Sequence, residues 1–188
     1  MKMNVAYATT PKVGEIANGD RPFYRHDDVG HHLLAVIDGL GHGPEAQAAT
    51  LAGLRFLEGV ALSMPLSEMM LGLHEAMRGT RGAAGAVCAT HGAELYACAV
   101  GNVELRPVRA DVPLIASAGI LGVRVQKFRV CSVRIALPCR LVMFSDGLAN
   151  PTTISEFHPL PPQLACDGLI QRHRRTYDDT TVLIADLE

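Results

Sequence analysis

Three short segments of this 188-residue chain combine residue types and spacing that can do chemistry: Asp38-Gly39-Leu40-Gly41-His42-Gly43, Phe144-Ser145-Asp146-Gly147 and Asp178-Asp179-Thr180-Thr181. The first two follow apolar β-type runs, Leu33 to Ile37 and Leu141 to Phe144, and the third precedes one, Val182 to Ala185. An Asp at a strand tip is held rigidly, and a neighbouring Gly leaves the backbone open to a small ligand. Carboxylates and backbone carbonyls are the donors that Mg²⁺ and Mn²⁺ prefer, in octahedral shells completed by water. Two such ions about 3.5–4 Å apart can hold a shared water as hydroxide and neutralise charge on phosphate oxygens. The pattern therefore points to metal-assisted chemistry on a phosphate, without a protein nucleophile.

A lone Asp-Gly is ordinarily just a turn; three acidic strand tips make independent turns a less persuasive reading. A second use for Gly39 to Gly43 is a phosphate cradle fed by the N-terminus of a following helix. No Lys-Ser or Lys-Thr follows those glycines, which argues against a nucleotide-binding P-loop.

The elements that must position these tips can be read from periodicity. Strands are expected at Asn4 to Thr9, Pro22 to His26 and His32 to Ile37, with a hairpin turn at Asp27-Asp28-Val29-Gly30. Pro11 to Asp20 reads as a polar turn region. Pro44 suits a first helical turn and Glu45 the positive end of the dipole, giving a helix that Gly59 ends. A second helix is expected from Pro65 to Arg78, capped by Ser63, with Leu66, Met69, Met70, Leu73 and Met77 as its apolar stripe. That Met-rich stripe reads as core filling. β runs follow at Ala83–Ala89, Ala93–Val100, Glu104–Val108, Arg124–Val130 and Arg140–Phe144, interrupted by the turn Gly119 to Gly122. A helix from Pro162 to Arg174 and a strand from Thr181 to Asp186 complete the chain. Strand runs alternating with helix runs predict an α+β fold, helices outside a large antiparallel sheet or sandwich.

Bulk properties narrow the functional classes. The length fits one domain, 1–188, with a sizeable core. A net charge of −2 lacks the basic excess of a nucleic-acid binder. Arg124, Lys127, Arg129, Arg134 and Arg140 can be read as a basic face or as scattered solvated strand residues. The five cysteines are far apart with no C-x-x-C pair, which predicts buried reduced thiols in a cytoplasmic protein and no zinc site. His31 and His32 are adjacent, so on a strand they point to opposite faces. The Met1-Lys2-Met3-Asn4 start has no signal-like apolar stretch, and no run is long enough to span a bilayer.

The ordered set Gly19-Asp20, Asp38-Gly39-x-Gly-x-Gly, Phe144-Ser145-Asp146-Gly147-Leu148 and Asp178-Asp179-x-Thr181 covers nearly the whole chain. It resembles the PP2C-type metal-dependent protein phosphatases, in the bacterial branch that includes SpoIIE, RsbU and RsbX. The short, sensor-free chain is most similar to the RsbX type of the stressosome. The resemblance implies a PP2C-like antiparallel β-sandwich flanked by helices in α-β-β-α layers, with two Mn²⁺ or Mg²⁺ ions at one edge. It implies that Asp38 bridges the ions, that Gly39 lends its carbonyl, that Asp146 and Asp178 bind one ion, and that Asp20 acts near the other. Asp179 is a supporting residue.

Three features depart from the family pattern: Gly19 stands where many relatives have Glu, Leu40 where many have His, and the phosphate-binding Arg upstream of the first motif is missing. His42 becomes a candidate proton donor to the leaving alkoxide, and Arg21 a candidate for the phosphate-binding Arg. The implied activity is phosphoserine/phosphothreonine hydrolysis on a phosphorylated STAS-domain protein of a stressosome-like partner-switching pathway, with no nucleic-acid or membrane partner. The other readings are an inactive phosphoprotein-binding module and a small-molecule phosphohydrolase.

Overall fold

The computed structural model describes residues 2–149 and 151–188, and the side chains of these apart from residues 151–153. Eleven strands are assigned among them: β1 (Met3–Thr10), β2 (Asp20–His26), β3 (His31–Gly39), β4 (Ala83–His91), β5 (Glu94–Val100), β6 (Glu104–Val108), β7 (Gly119–Ile120), β8 (Arg124–Val125), β9 (Cys131–Arg134), β10 (Cys139–Phe144) and β11 (Thr180–Leu187). The helices are α1 (Pro44–Gly59), α2 (Leu66–Ala76) and α3 (Pro162–His173), and a 3₁₀ helix over Pro151–Phe157 lies between β10 and α3.

The strands form two antiparallel sheets, ordered β1-β11-β10-β6 and β2-β3-β4-β5-β9, beside the small β7-β8 hairpin. Strand alternation sorts each apolar run onto two faces. Leu34 and Val36 of β3 meet Leu141, Met143, Leu183 and Ala185 of the other sheet, filling the sandwich. Leu33, Ala35 and Ile37 of the same strand face Ala49, Leu57, Met69, Met70 and Leu73 of α1 and α2. On the opposite outer face Val142, Phe144, Val182 and Ile184 pack against Ala165, Cys166 and Leu169 of α3. Central strands covered on both faces must be apolar throughout, which is why β3, β10 and β11 read as uninterrupted runs. The result is four layers, α-β-β-α, as expected. The Met stripe of α2 is core, and all five cysteines are free thiols, four of them buried.

Some local expectations are corrected. Residues 124–130 do not form one strand. Only Arg124–Val125 pairs, with Gly119–Ile120, and the rest is irregular. Val125 and Phe128 both pack on the helix-side core, and residues three apart cannot share one face of a strand. The backbone N–H of Arg129 instead donates to Ser117 Oγ at 2.9 Å. Edge strand β9 and the 3₁₀ helix have no counterpart in the sequence reading, because the half-polar Cys-Ser-Val-Arg stretch is short and carries little signal. Ser63 does not cap α2, which starts at Leu66 with Pro65 at the cap position and no side-chain cap bond. The adjacent histidines do part to opposite faces: His32 stacks on Tyr24, whereas His31 lies against His91.

Arg140 belongs to no basic face. Its guanidinium holds Asp186 of β11 through two hydrogen bonds and donates to the carbonyls of Phe157, His158 and Leu160. One cation thus ties the sheet to the end of the 3₁₀ helix and the turn after it. Charge-assisted bonds of this kind contribute more than neutral ones. Arg140→Ala is expected to lower stability by roughly 2–3 kcal/mol. Urea denaturation would show it as a reduced midpoint with an unchanged slope.

Candidate functional site

The register of the sheets brings the acidic tips to one edge of the sandwich. Asp20, the first residue of β2, lies directly across from Asp38 near the end of β3. Asp146 follows the end of β10, and Asp178 and Asp179 precede the start of β11. Since β10 and β11 are antiparallel, with Phe144 opposite Val182, these acids share one end of their sheet.

A polar chain crosses the gap between the two sheets. Ser145, fully buried, donates its hydroxyl to Asp20 Oδ2. Ser145 Oγ in turn accepts the Thr181 N–H at 3.0 Å. The Thr181 hydroxyl bonds that of Thr9 at 2.5 Å, Thr9 accepts from Asn18 Nδ2 at 2.8 Å, and Asn18 Oδ1 accepts the Asp20 N–H at 2.9 Å. These interactions fix the carboxylate of Asp20, which is only 1% exposed.

The second pair of tips is zipped together. Arg175 donates its backbone N–H to Gly147 O and its guanidinium to Asp146 O, both at 2.8 Å, and Thr180 Oγ1 donates to Gly147 O at 3.0 Å. A Cβ at Gly147 would stand 1.8 Å from Asp179 O, so only glycine lets the loops approach. Asn102, on the β5–β6 turn, donates to Asp146 Oδ2 at 2.6 Å and orients that carboxylate.

Electrostatics show the acids to be within reach of one another. Burial pushes the Asp38 carboxyl well above the ordinary carboxylate range, and the charges of Asp20, Asp146 and Asp178 push it further. Asp20 is raised chiefly by burial, against the lowering effect of the Ser145 hydrogen bond. Asp178 is raised by burial and by Asp146, with Arg175 partly offsetting them. The Asp20 charge is the first of the neighbouring charges that raise Asp38, so the facing pair resists double ionisation.

Among the described residues no group of three or more His, Cys, Asp or Glu side chains closes into a formed ion cage. The donor set nevertheless fits hard divalent cations: four carboxylates at one edge with little cationic compensation.

Asp179 takes a different position. Its two oxygens accept the backbone N–H groups of Lys12 and Gly19, each at 2.8 Å, so it anchors both ends of the Lys12–Gly19 loop. The departure at Gly19 has a steric reason, because a Cβ there would meet Ala46 Cβ at 2.7 Å and Asp179 Oδ2 at 2.8 Å. Gly39 is just as constrained: an added Cβ would lie 2.4 Å from the Ala46 carbonyl oxygen. Helix α1 thus rests on the strand end that carries Asp38.

Gly41 and Gly43, with φ of 79° and 80°, turn the chain from β3 into that helix. His42 sits on this turn with both ring nitrogens engaged, Nε2 with Lys12 Nζ at 2.8 Å and Nδ1 with Glu15 Oε1 at 3.1 Å. A proton-donor role requires that bridge to open. Arg21 donates to the Asp20 carbonyl at 2.9 Å.

Sequence reasoning did not find Asn102, Arg175, Asn18 or Lys12. Only the Gly101-Asn102 turn and the position of Arg175 three residues before Asp178 carry any signal for them.

Comparison with known proteins places this architecture. No family profile and no curated protein matches the chain. Among solved structures, a chain described with the bacterial stressosome, as a modular system adapted to control secondary messenger signalling, superposes with a TM-score of 0.88 at 28% identity, covering 98% of this chain and 100% of the other. RsbX in complex with magnesium gives 0.85 at 23% identity over 99% and 96%. The catalytic domain of the serine/threonine protein phosphatase PstP with two manganese ions gives 0.78 at 17% over 98% and 97%. The sandwich is the PP2C-type fold, and the resemblance to the RsbX type read from the motifs is borne out in the architecture.

The charge arrangement has a consequence for stability. Carboxyls whose folded pKa is raised contribute stability that is fully present below their unfolded pKa, and it is lost as pH rises through the folded one. Metal-free protein should therefore lose thermal stability between about pH 5 and about pH 9. Mn²⁺, which binds deprotonated carboxylates, should restore it most at the alkaline end. Thermal melts with chelator and with Mn²⁺ check this; melting temperatures indifferent to metal at both pH values would contradict it. In the same assay Asp38→Asn, which removes the repulsion, should raise the alkaline melting temperature of the metal-free protein.

Proposed function

We propose that this chain, built on the PP2C-type phosphatase fold, is a metal-dependent phosphoserine/phosphothreonine protein phosphatase acting on a phosphorylated STAS-domain protein of a stressosome-like pathway. The observation that carries the reading is the meeting of Asp20, Asp38, Asp146 and Asp178 at one sandwich edge, where the charges of the other three raise the Asp38 carboxyl. The likeness to a stressosome chain and to RsbX supports the choice of pathway.

Asp38, the Gly39 carbonyl, Asp146 and Asp178 would hold two Mn²⁺ or Mg²⁺ ions, with Asp20 beside the second. Such ions supply Lewis-acid neutralisation of a phosphate and an acidified water as nucleophile. The chain's own residues do the positioning. Ser145 holds Asp20 across the sheets, Asn102 and Arg175 hold the Asp146 loop, and Asp179 closes the Lys12–Gly19 loop against Gly19. Lys12 and His42 form a polar rim beside the acids, where a phosphoprotein's leaving hydroxyl can be met.

The inactive-module reading draws on Gly19, whose surroundings leave no space for the Glu that many relatives carry. Mn²⁺ titration calorimetry separates the two, since an inert module would bind no metal at millimolar concentration. For the enzyme, Asp38→Asn should abolish Mn²⁺-dependent phosphate release from a phosphorylated STAS protein, a loss of at least about a hundredfold. Retained turnover in that variant would remove the two-ion reading. Rapid turnover of free phosphoamino acids without preference for the folded protein would favour a small-molecule phosphohydrolase.

A further inference from the structure

Between Asp111 and Asp146 the chain contains no Asp or Glu but five cations, Arg124, Lys127, Arg129, Arg134 and Arg140. The structure divides these five. Arg140 is spent on Asp186 and the neighbouring carbonyls. Arg134 lies across from Glu94 at the far end of β5, roughly 20 Å from the acidic edge at about 3.3 Å per residue. The remaining three, Arg124, Lys127 and Arg129, are exposed, and among the described residues none has a carboxylate within ion-pair distance.

Of the acids at the neighbouring helical ends, Glu75 pairs with Arg78 and Glu45 with Arg81, and Glu68 of the first turn of α2 forms no ion pair with the three cations. The three cations therefore stand as an uncompensated positive strip on a protein whose net charge is −2.

This strip is fixed in place and hooked to the residues around the acids. On one side Leu121 bridges Ala83, which pairs with Gly39, and the Leu40 N–H donates to Gly82 O at 3.0 Å. Two strand spacings put Leu121 about 10 Å from Gly39. On the other side Gly101 and Ser117 are joined by the Gly101 N–H, which donates to Ser117 O at 3.1 Å, and the next residue, Asn102, holds Asp146. Ser117 Oγ then takes the Arg129 N–H, the Gly122 N–H donates to His74 Nδ1 at 3.1 Å, and Phe128 packs edge-on against His74. The segment is tied to β5 and α2 by these contacts although it is irregular.

We propose that Arg124, Lys127 and Arg129 form a docking strip for an acidic stretch of the phosphoprotein substrate, next to the residue being dephosphorylated. This rests on the phosphatase reading above. The metal-bearing edge addresses the phosphate itself, and adjacent cations can steer the acidic residues that flank it. Three cations beside one catalytic edge fit a short peptide footprint. Nucleic acid would call for a broader basic surface, and a membrane for a larger polybasic cluster or an amphipathic helix. The half-exposed Val123 and Val130 bound the strip and suit a peptide backbone lying across it.

The test uses two fluorescein-labelled phosphoserine peptides that differ only in carrying glutamates or glutamines beside the phosphoserine. Binding to the full chain bearing Asp38→Asn is read by anisotropy, so no turnover is needed. The glutamate peptide should bind about tenfold more tightly at low salt. The advantage should shrink to within about twofold at roughly 0.5 M salt. Adding R124E/K127E/R129E should abolish it. Neutralising the same residues with Gln should likewise remove the preference, and urea midpoints verify that both sets are folded.

Equal affinity for the two peptides, or a preference that survives charge reversal, overturns the strip. So does capture by phosphatidylserine vesicles without peptide discrimination. The phosphatase reading is tested apart from this, by Mn²⁺-dependent turnover of p-nitrophenyl phosphate by the unsubstituted chain. No turnover together with an intact peptide preference would sink that reading and leave the strip standing.

Discussion

Carboxylates crowded at the end of a buried sandwich repel one another, and the architecture around them is arranged to hold them together despite that. Asp20 and Asp38 sit across from each other on adjacent strands, and the sheet register leaves them no freedom to separate. With the pair largely buried, the charge must be met either by a shared proton or by a cation. The local hydrogen bonding serves this requirement: the Ser145 hydroxyl stabilises Asp20, Asn102 orients Asp146, and Arg175 offsets charge at Asp178.

Holding that cluster requires the two sheets to keep their relative positions. The chain of hydroxyls from Ser145 through Thr181 and Thr9 to Asn18 joins them at the functional edge. At the other end the bonds of Arg140 to Asp186 and the 3₁₀-helix carbonyls close the same sheet against its helical cover. Between these ends the core is apolar and tightly interlocked, so a small displacement at one edge cannot be absorbed locally. The glycines at 19, 39 and 147 are the points where backbone must touch backbone or side chain for the acids to meet. Their lack of a side chain is a structural condition of the site.

Much of the architecture was legible from periodicity. β3, β10 and β11 are uninterrupted apolar runs because helices cover one face and a second sheet the other. α1, α2 and α3 fell close to their expected bounds, since Pro at the start and apolar stripes are local signals. Where the reading failed, the deciding contact was distant in sequence. The 126–130 stretch is pulled out of strand geometry by Phe128 on His74 and Arg129 on Ser117, and edge strand β9 exists only because β5 offers it a partner.

The candidate site divides the same way. The sequence by itself determined which carboxylates sit at strand tips and which glycines flank them, because residue type and local periodicity are properties of short segments. It also determined the acid-free stretch that carries the exposed cations. Only the tertiary structure decided that Asp179 binds the backbone of Lys12 and Gly19, that both nitrogens of His42 are engaged, and that Arg140 is internal. It also brought Asn102 and Arg175 to the acids. Hydrogen bonds between residues tens to hundreds of positions apart depend on how sheets register and pack, and no short-range pattern encodes that register.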